Sequence, residues 1–330
     1  MCSGIPANMG TETMTRPLLT LLACVLAFWM GYSANQGSTC LVAASQELQQ
    51  RRRPGLFVGF LAASAAAGLV AVPLAWSGAG GALAASVDIS ATVLVGAVAF
   101  GIGALINDAC LLGSLSRLGD GEIRLLAMPV GLAVGLLLID RIMIDRSPLR
   151  PSVLTAPSKF GAAVLGGFLI VAVLSQAYIS RRTASRSGGR WPLGVAMLVL
   201  GLTGGALYAI APVWNYVHLV QRSLPLTMAA TREISILTVA ASIAGAVTAA
   251  LHQGRWRLQR PTLADIGKSF VGGALMGVGV ALIPGGNNGL ILAAIPALSP
   301  GGIVAYLLMT ATIVLGLSVI ARISRKSTTA

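Results

Sequence analysis

The sequence predicts an all-α membrane protein with about nine transmembrane helices, arranged in two inverted repeats with re-entrant broken helices. Hydrophobic residues make up 55% of the 330 residues and charged residues only 10%, whereas soluble proteins carry roughly 25% charged residues. The apolar runs are about 17–22 residues long, which is enough to cross a hydrocarbon core of roughly 30 Å as a helix. Glycine-rich polar stretches interrupt these runs at corresponding places in the two halves of the chain.

The first half of the chain holds four predicted spans and two breaks. The spans cover residues 17–32, 55–76, 88–106 and 122–139. The first break, residues 31–48, contains a short amphipathic helix at 41–48. The second lies within residues 100–122, which have too many glycines and polar groups to continue either flanking helix. A lipid-exposed break would leave backbone groups unpaired, so this stretch must be buried in protein or line a cavity.

The second half is predicted to repeat this pattern after a linking span at 159–179. Its spans cover residues 191–210, 233–251, 266–283 and 301–320, with breaks at 211–232 and at the PGGNNG motif, 284–289. The run FGIGALINDACLLG (100–113) can be aligned with FVGGALMGVGVALIPGG (270–286). Inverted repeats with paired broken helices usually locate a transporter's binding site at the bilayer midplane. The expected units are a tail (1–16), a first repeat (17–145), a linking span (146–190), a second repeat (191–322) and a tail (323–330).

The charge distribution predicts an orientation and a class of solute. The chain carries 23 Lys+Arg against 10 Asp+Glu, a net charge of +13. Basic loops favour the cytoplasmic side, which predicts an external N-terminus and a cytoplasmic C-terminus. The cationic excess also favours an anionic solute. The arginines are scattered between spans, so no nucleic-acid partner is expected. The four cysteines form no CxxC pair or metal-like cluster, so neither a metal nor another cofactor is expected.

Three stretches of the sequence resemble a known family. The runs ACLLGSLSRLGDGE (109–122) and GGALMGVGVALIPGGNNGLILAAIPALSPGGIVAY (272–306) resemble the YeeE/YedE family of sulfur-transport membrane proteins, and GSTCLVAASQEL (37–48) is similar to its first-half break. The resemblance implies an hourglass-shaped bacterial inner-membrane permease that takes up thiosulfate, with cysteines in the pore that pass the anion along by hydrogen bonding. It also implies a small cytoplasmic sulfur-carrier protein of the TusA type as a partner.

The candidate site residues lie in the breaks. Cys40 and Cys110 match cysteine positions of the family, but the second half of this chain has no cysteine and carries asparagines in the corresponding break. The expected substrate-binding residues are Cys40, Cys110, Gly113, Gly285, Gly286, Asn287 and Asn288. Thiols, amides and helix N-termini supply uncharged or partly charged donors to an anion, and glycines let backbone N–H groups approach it.

Each of these residues also has a plainer interpretation. The cysteines can be packing residues, the glycines can serve tight helix packing and the asparagines can be turn residues that cap a helix. Cys24, in the middle of a span, is expected to be structural. Asp108 is expected to cap the short helix at its break rather than to carry a proton.

The function predicted from the sequence is a permease rather than an enzyme, one that imports a small sulfur-containing anion, with thiosulfate as the first candidate. Two alternatives stay open: transport of another sulfur or selenium species, and a membrane sulfurtransferase or scaffold for a sulfur carrier. A sulfurtransferase would carry a persulfide on Cys110 and would need a nearby base. The sequence places no histidine near either cysteine.

Overall fold

The computed structural model describes residues 9–78, 81–142, 148–182, 190–211, 229–283 and 285–328. Helices make up 79% of the structure and there is almost no sheet. Nine segments of the described residues are long and apolar enough to cross a membrane. The predicted class, a helical multi-pass membrane protein, is therefore confirmed. The inverted relation between the halves and the boundaries of the units remain predictions.

The elements are numbered here along the described chain. The helices are α1 Met9–Gly37, α2 Leu41–Arg51, α3 Gly55–Trp76, α4 Ala91–Asn107, α5 Leu111–Gly119, α6 Ala127–Ile142, α7 Lys159–Arg182, α8 Leu193–Ile210, α9 Ala229–His252, α10 Leu263–Leu282, α11 Gly286–Gly289 and α12 Pro300–Thr328. A 3-10 turn, Ile123–Leu126, precedes α6, and a π-helical turn, Leu290–Ala294, follows α11. Two-residue strands, β1 Ser86–Val87 and β2 Leu149–Arg150, pair antiparallel.

The two breaks of the first half are shorter than the sequence suggests. Helix α1 continues to Gly37 and α4 continues to Asn107, so only residues 38–40 and 108–110 interrupt the helices. Helix α4 agrees with the predicted span 88–106, and the part of the predicted break at 100–122 that precedes residue 108 is helical. A Cβ on Gly101 would lie 2.9 Å from the Cβ of Thr312, and one on Gly103 would lie 2.6 Å from the carbonyl oxygen of Gly272. These glycines let neighbouring helices approach α4 without breaking it.

Close packing of glycines joins α6 to α10. Gly135 faces the carbonyl of Ala274, and Gly273 and Gly277 of α10 face the carbonyls of Met128 and Leu132. This matched order shows that the two helices run parallel. Small residues of this kind allow backbone-to-backbone contact in membrane helices, where hydrophobic burial drives association only weakly.

Around this pair the other helices surround the breaks. Helix α4 packs on α10 and α12, α1 packs on α9 and α8, and α3 packs on α8 and α7. Helix α7 is peripheral, since only Gly161, Ala172, Ser175 and Ile179 are buried along its length. The breaks are enclosed instead: residues 109–112 are all buried, and so are residues 286–294. The prediction that the stretch around residue 110 is buried in protein is confirmed.

The glycine contacts between α6 and α10 make a prediction about stability. Replacing Gly135 by Ala places a methyl group against the Ala274 carbonyl, and overpacking of this kind costs about 1–3 kcal/mol. The melting temperature of the purified protein should therefore fall by several degrees. Gly167→Ala in α7 is the matched control, because its Cβ would meet nothing within 4 Å. Equal melting temperatures for the two variants would contradict the packing.

Candidate functional site

The starts of two half-helices bring two cysteines together. Cys40 immediately precedes α2 and Cys110 immediately precedes α5. Their Sγ atoms lie 3.9 Å apart. Both cysteines are buried: Cys40 is 6% exposed and Cys110 is 0% exposed. The structure therefore pairs the two cysteines that the sequence placed in separate breaks.

Three N–H groups from three different elements surround the sulfur of Cys110. The backbone N–H of Leu41 donates to it at 3.3 Å and that of Gly113 at 3.5 Å. The side-chain Nδ2 of Asn287 donates from the second half of the chain at 3.4 Å. Cys110 is thus the N-cap of α5 and also the point where α2, α5 and α11 are joined by hydrogen bonds.

The candidate glycines lie where these elements come closest. A Cβ on Gly113 would overlap the Cys40 sulfur and lie 2.7 Å from the Cys40 Cβ. A Cβ on Gly286 would lie 2.8 Å from Leu111. Gly285 and Gly286 have φ angles of +74° and +65°, a left-handed conformation that favours glycine. Their packing and their backbone geometry bring the PGGNNG motif against the start of α5.

The two asparagines of the motif are buried polar groups with incomplete hydrogen bonding. Asn287 is 0% exposed and Asn288 is 3% exposed. Within the part of the chain that is described, the Oδ1 atoms of both residues lack a hydrogen-bond partner. An unsatisfied buried amide costs about 1–3 kcal/mol, so each such group calls for a functional or structural reason. The amide nitrogen and oxygen can exchange places by rotation, so each side chain can present a donor or an acceptor.

Asp108 does not cap α5, contrary to the sequence-based prediction. Helix α5 begins at Leu111, and the residue just before it, Cys110, occupies the capping position. Asp108 instead ends α4, with a φ of +56°. Its carboxylate accepts hydrogen bonds from Arg117 Nη1 at 3.1 Å and from Gln46 Nε2 at 3.3 Å. The side chain of Asp108 is 55% exposed, so the carboxylate lies at the surface and not beside the thiols.

Two residues missed by the sequence reasoning hold the turn before α5. The Nδ2 of Asn107 donates to the carbonyl of Ala109 at 2.9 Å and to Ser114 Oγ at 3.1 Å. Arg117 donates to the carbonyl of Asp108 at 2.7 Å. The only sequence signal for either residue is a polar side chain inside an apolar run, since their partners depend on where the helix breaks.

The other candidate groups lie elsewhere. Cys24 is half-buried within α1. His252, at the end of α9, is hydrogen-bonded to Tyr32. No cluster of three or more metal-ligating side chains occurs in the described ranges. Most of the predicted break at 211–232 lies outside the described residues. Among the described contacts the two thiols meet amide and N–H groups, a set suited to hydrogen bonding with a small anion.

The distance between the sulfurs makes a direct prediction. Mild oxidation of the purified protein should link Cys40 to Cys110, because their sulfurs are already in contact at 3.9 Å. Mass spectrometry of proteolytic fragments would identify the linked peptides. In Gly113→Ala the new methyl group displaces Cys40, so the link should form several times more slowly. A folded wild-type protein that links neither cysteine to the other would contradict the geometry.

Comparison with known proteins identifies the family of this chain. A family model described as sulphur transport matches residues 36–315. A search of the curated proteins found no match. The matched region includes both paired cysteines, all five glycine and asparagine positions of the PGGNNG motif, seven of the nine candidate spans in full and part of the first and last. The chain therefore belongs to the sulphur-transport family, the YeeE/YedE family of multi-pass membrane proteins.

Proposed function

We propose that this protein imports a small sulfur-containing anion, with thiosulfate as the first candidate, through a central constriction. Cys40, Cys110 and the N-termini of α2 and α5 form one side of this constriction. Family membership supports sulfur transport. The observation that favours this particular site is the contact of two buried thiols at the starts of two half-helices.

The donors around Cys110 explain how an anion could be held there. A small anion in a membrane must exchange its water shell for protein donors. The N–H groups of Leu41 and Gly113 point at the Cys110 sulfur, and a modest shift of that sulfur offers the same donors to an oxyanion. Helix N-termini also favour negative charge. Within the described part of the chain, none of the hydrogen bonds of the thiols involves a guanidinium, so binding stays weak enough for release, as conduction requires.

The asparagines supply the second half of the constriction. Asn287 already reaches Cys110 with its amide, and Asn288 is buried beside it in the same short helix. In this proposal the two amides replace the second-half cysteine of the thiosulfate type. An amide donates through N–H more strongly than a thiol donates through S–H, so they suit the oxygens of an oxyanion.

We place the protein in a bacterial inner membrane with its N-terminus outside and its C-terminus in the cytoplasm. Exposed arginines lie at positions 51–53, 181, 182, 257 and 260, in chain segments that the proposed orientation assigns to the cytoplasm. A TusA-like sulfur carrier is the proposed recipient of the imported sulfur on that side.

The alternative of a membrane sulfurtransferase is less well supported by the contacts of the thiols. A persulfide chemistry needs a base beside the nucleophilic sulfur. The described partners of Cys110 are backbone N–H groups, an asparagine amide and the other thiol. No histidine, lysine or carboxylate is among these partners, which favours transport over catalysis.

Substitutions in the site should reduce flux in reconstituted vesicles. Cys110→Ala, Cys40→Ala and Asn287→Ala should each lower the uptake of labelled thiosulfate, with the largest loss for Cys110, which joins all three elements. A lost hydrogen bond to an anion is worth about 1.5–3 kcal/mol, which corresponds to roughly 10–100-fold. Initial rates in proteoliposomes of equal protein content measure the effect.

Cys24→Ala is the control variant and should transport at the wild-type rate. Unchanged uptake in both cysteine variants of the site would exclude the thiol role. Competition by sulfite, sulfide or selenium oxyanions in the same vesicles tests the substrate. A persulfide on Cys110 detected by mass spectrometry, without any flux, would favour the sulfurtransferase instead.

A further inference from the structure

Three helix ends meet at a cluster of aromatic rings. The ring of Trp191, just before α8, lies 5.1 Å from that of Tyr32 and 6.3 Å from that of Trp29, measured between centroids. Trp29 and Tyr32 belong to α1. The hydroxyl of Tyr32 lies 3.1 Å from Nδ1 of His252 at the end of α9. Trp29 is 42% exposed. Tryptophan and tyrosine are enriched where a bilayer meets water, so this cluster marks one membrane interface.

Two guanidinium groups border the aromatic cluster. Arg190 immediately precedes Trp191, whose backbone N–H donates to Gln36 at 2.9 Å. The preceding residue of α1, Asn35, accepts a hydrogen bond from Nη2 of Arg255 at 2.8 Å. Burial, and then the positive charge of Arg255, lower the pKa of Arg190, while the negative charge of Asp120 raises it.

The charges in this corner are not balanced. Arg255 pairs with Asp120 at 3.2 Å, and Asn35 also donates to that carboxylate. Arg190 is half-buried and forms no ion pair with any carboxylate in the described ranges. Asp120 therefore serves both arginines, directly for Arg255 and at longer range for Arg190, so two cations share one carboxylate. One net positive charge therefore remains beside the aromatic rings.

We propose that Arg190 and Arg255 bind the phosphate of an anionic phospholipid, such as phosphatidylglycerol, with Trp29 beside the start of its acyl chains. Guanidinium groups match the oxygens of a phosphate through charge-assisted hydrogen bonds. Basic pockets between transmembrane helices are suited to anionic head groups. The exposed indole next to the cations favours a lipid over a soluble anion, because it offers apolar contact that inorganic phosphate cannot use.

The position of this lipid gives it a structural role. It joins the ends of α1, α8 and α9, and α1 leads within three residues to the break at Cys40. The proposal does not depend on which anion the protein transports, because it rests on the arginines and the rings alone.

Lipid retention tests the proposal. Full-length protein is purified from mixed micelles of phosphatidylglycerol and phosphatidylcholine, and the bound lipids are counted by native mass spectrometry. The wild type should retain phosphatidylglycerol preferentially. Arg190→Gln should lower this preference about fivefold, the loss expected for one basic residue near an anionic surface. Arg190→Lys should keep most of it, and Arg257→Gln, an exposed arginine near Arg255 in the chain, should keep all of it. Equal retention by Arg190→Gln and the wild type would overturn the proposal.

A second measurement uses only the wild-type protein and separates lipid from free anion. The melting temperature of delipidated protein should rise on titration with phosphatidylglycerol but not with phosphatidylcholine. Inorganic phosphate at the same concentration should have little effect. A failure to respond to phosphatidylglycerol, or an equal response to inorganic phosphate, would overturn the assignment of a lipid head group.

Discussion

A helix that stops inside a membrane leaves backbone N–H groups that only protein can pair, because hydrocarbon offers no donors or acceptors. In this protein the sulfur of Cys110 meets that need at two breaks at once. It accepts from Gly113 at the start of its own helix and from Leu41 at the start of α2. The second half of the chain joins through Asn287. The remaining geometry of the centre follows from this shared acceptor.

The same interaction gives the centre its chemical character. A sulfur is a weak acceptor, so the donors that meet at Cys110 are held in place but are not strongly satisfied. This favours exchange of the sulfur for a better acceptor, such as the oxygen of a small anion. The surrounding polar residues do not contact the thiols. Asn107 and Arg117 hold the turn before α5, and the ion pair between Asp108 and Arg117 lies at the surface. The centre therefore combines dense hydrogen bonding with little fixed charge.

Much of this architecture could be predicted from the sequence, because hydrophobicity and length determine which segments can span a bilayer. The approximate positions of the breaks could also be predicted, because cysteine, asparagine and glycine interrupt otherwise apolar runs. The first and last residues of each break could not be predicted. Gly101 and Gly103 belong to the glycine-rich stretch that marked the second break, but they lie within α4 and contact residues on α12 and α10, far away in the chain. Cys110 caps α5 because this helix begins at Leu111. The sequence pattern does not specify the residue at which the helix begins.

The central claim, that the transported anion contacts the thiol pair, can be tested by its effect on thiol reactivity. The purified protein is treated with N-ethylmaleimide at increasing thiosulfate concentrations, and labelling of Cys40, Cys110 and Cys24 is measured by mass spectrometry. Cys24 serves as the internal reference, because any loss of reagent to thiosulfate lowers all three rates equally. A selective fall in the labelling of Cys40 and Cys110 relative to Cys24 is the predicted result. A constant ratio at saturating thiosulfate would contradict the account.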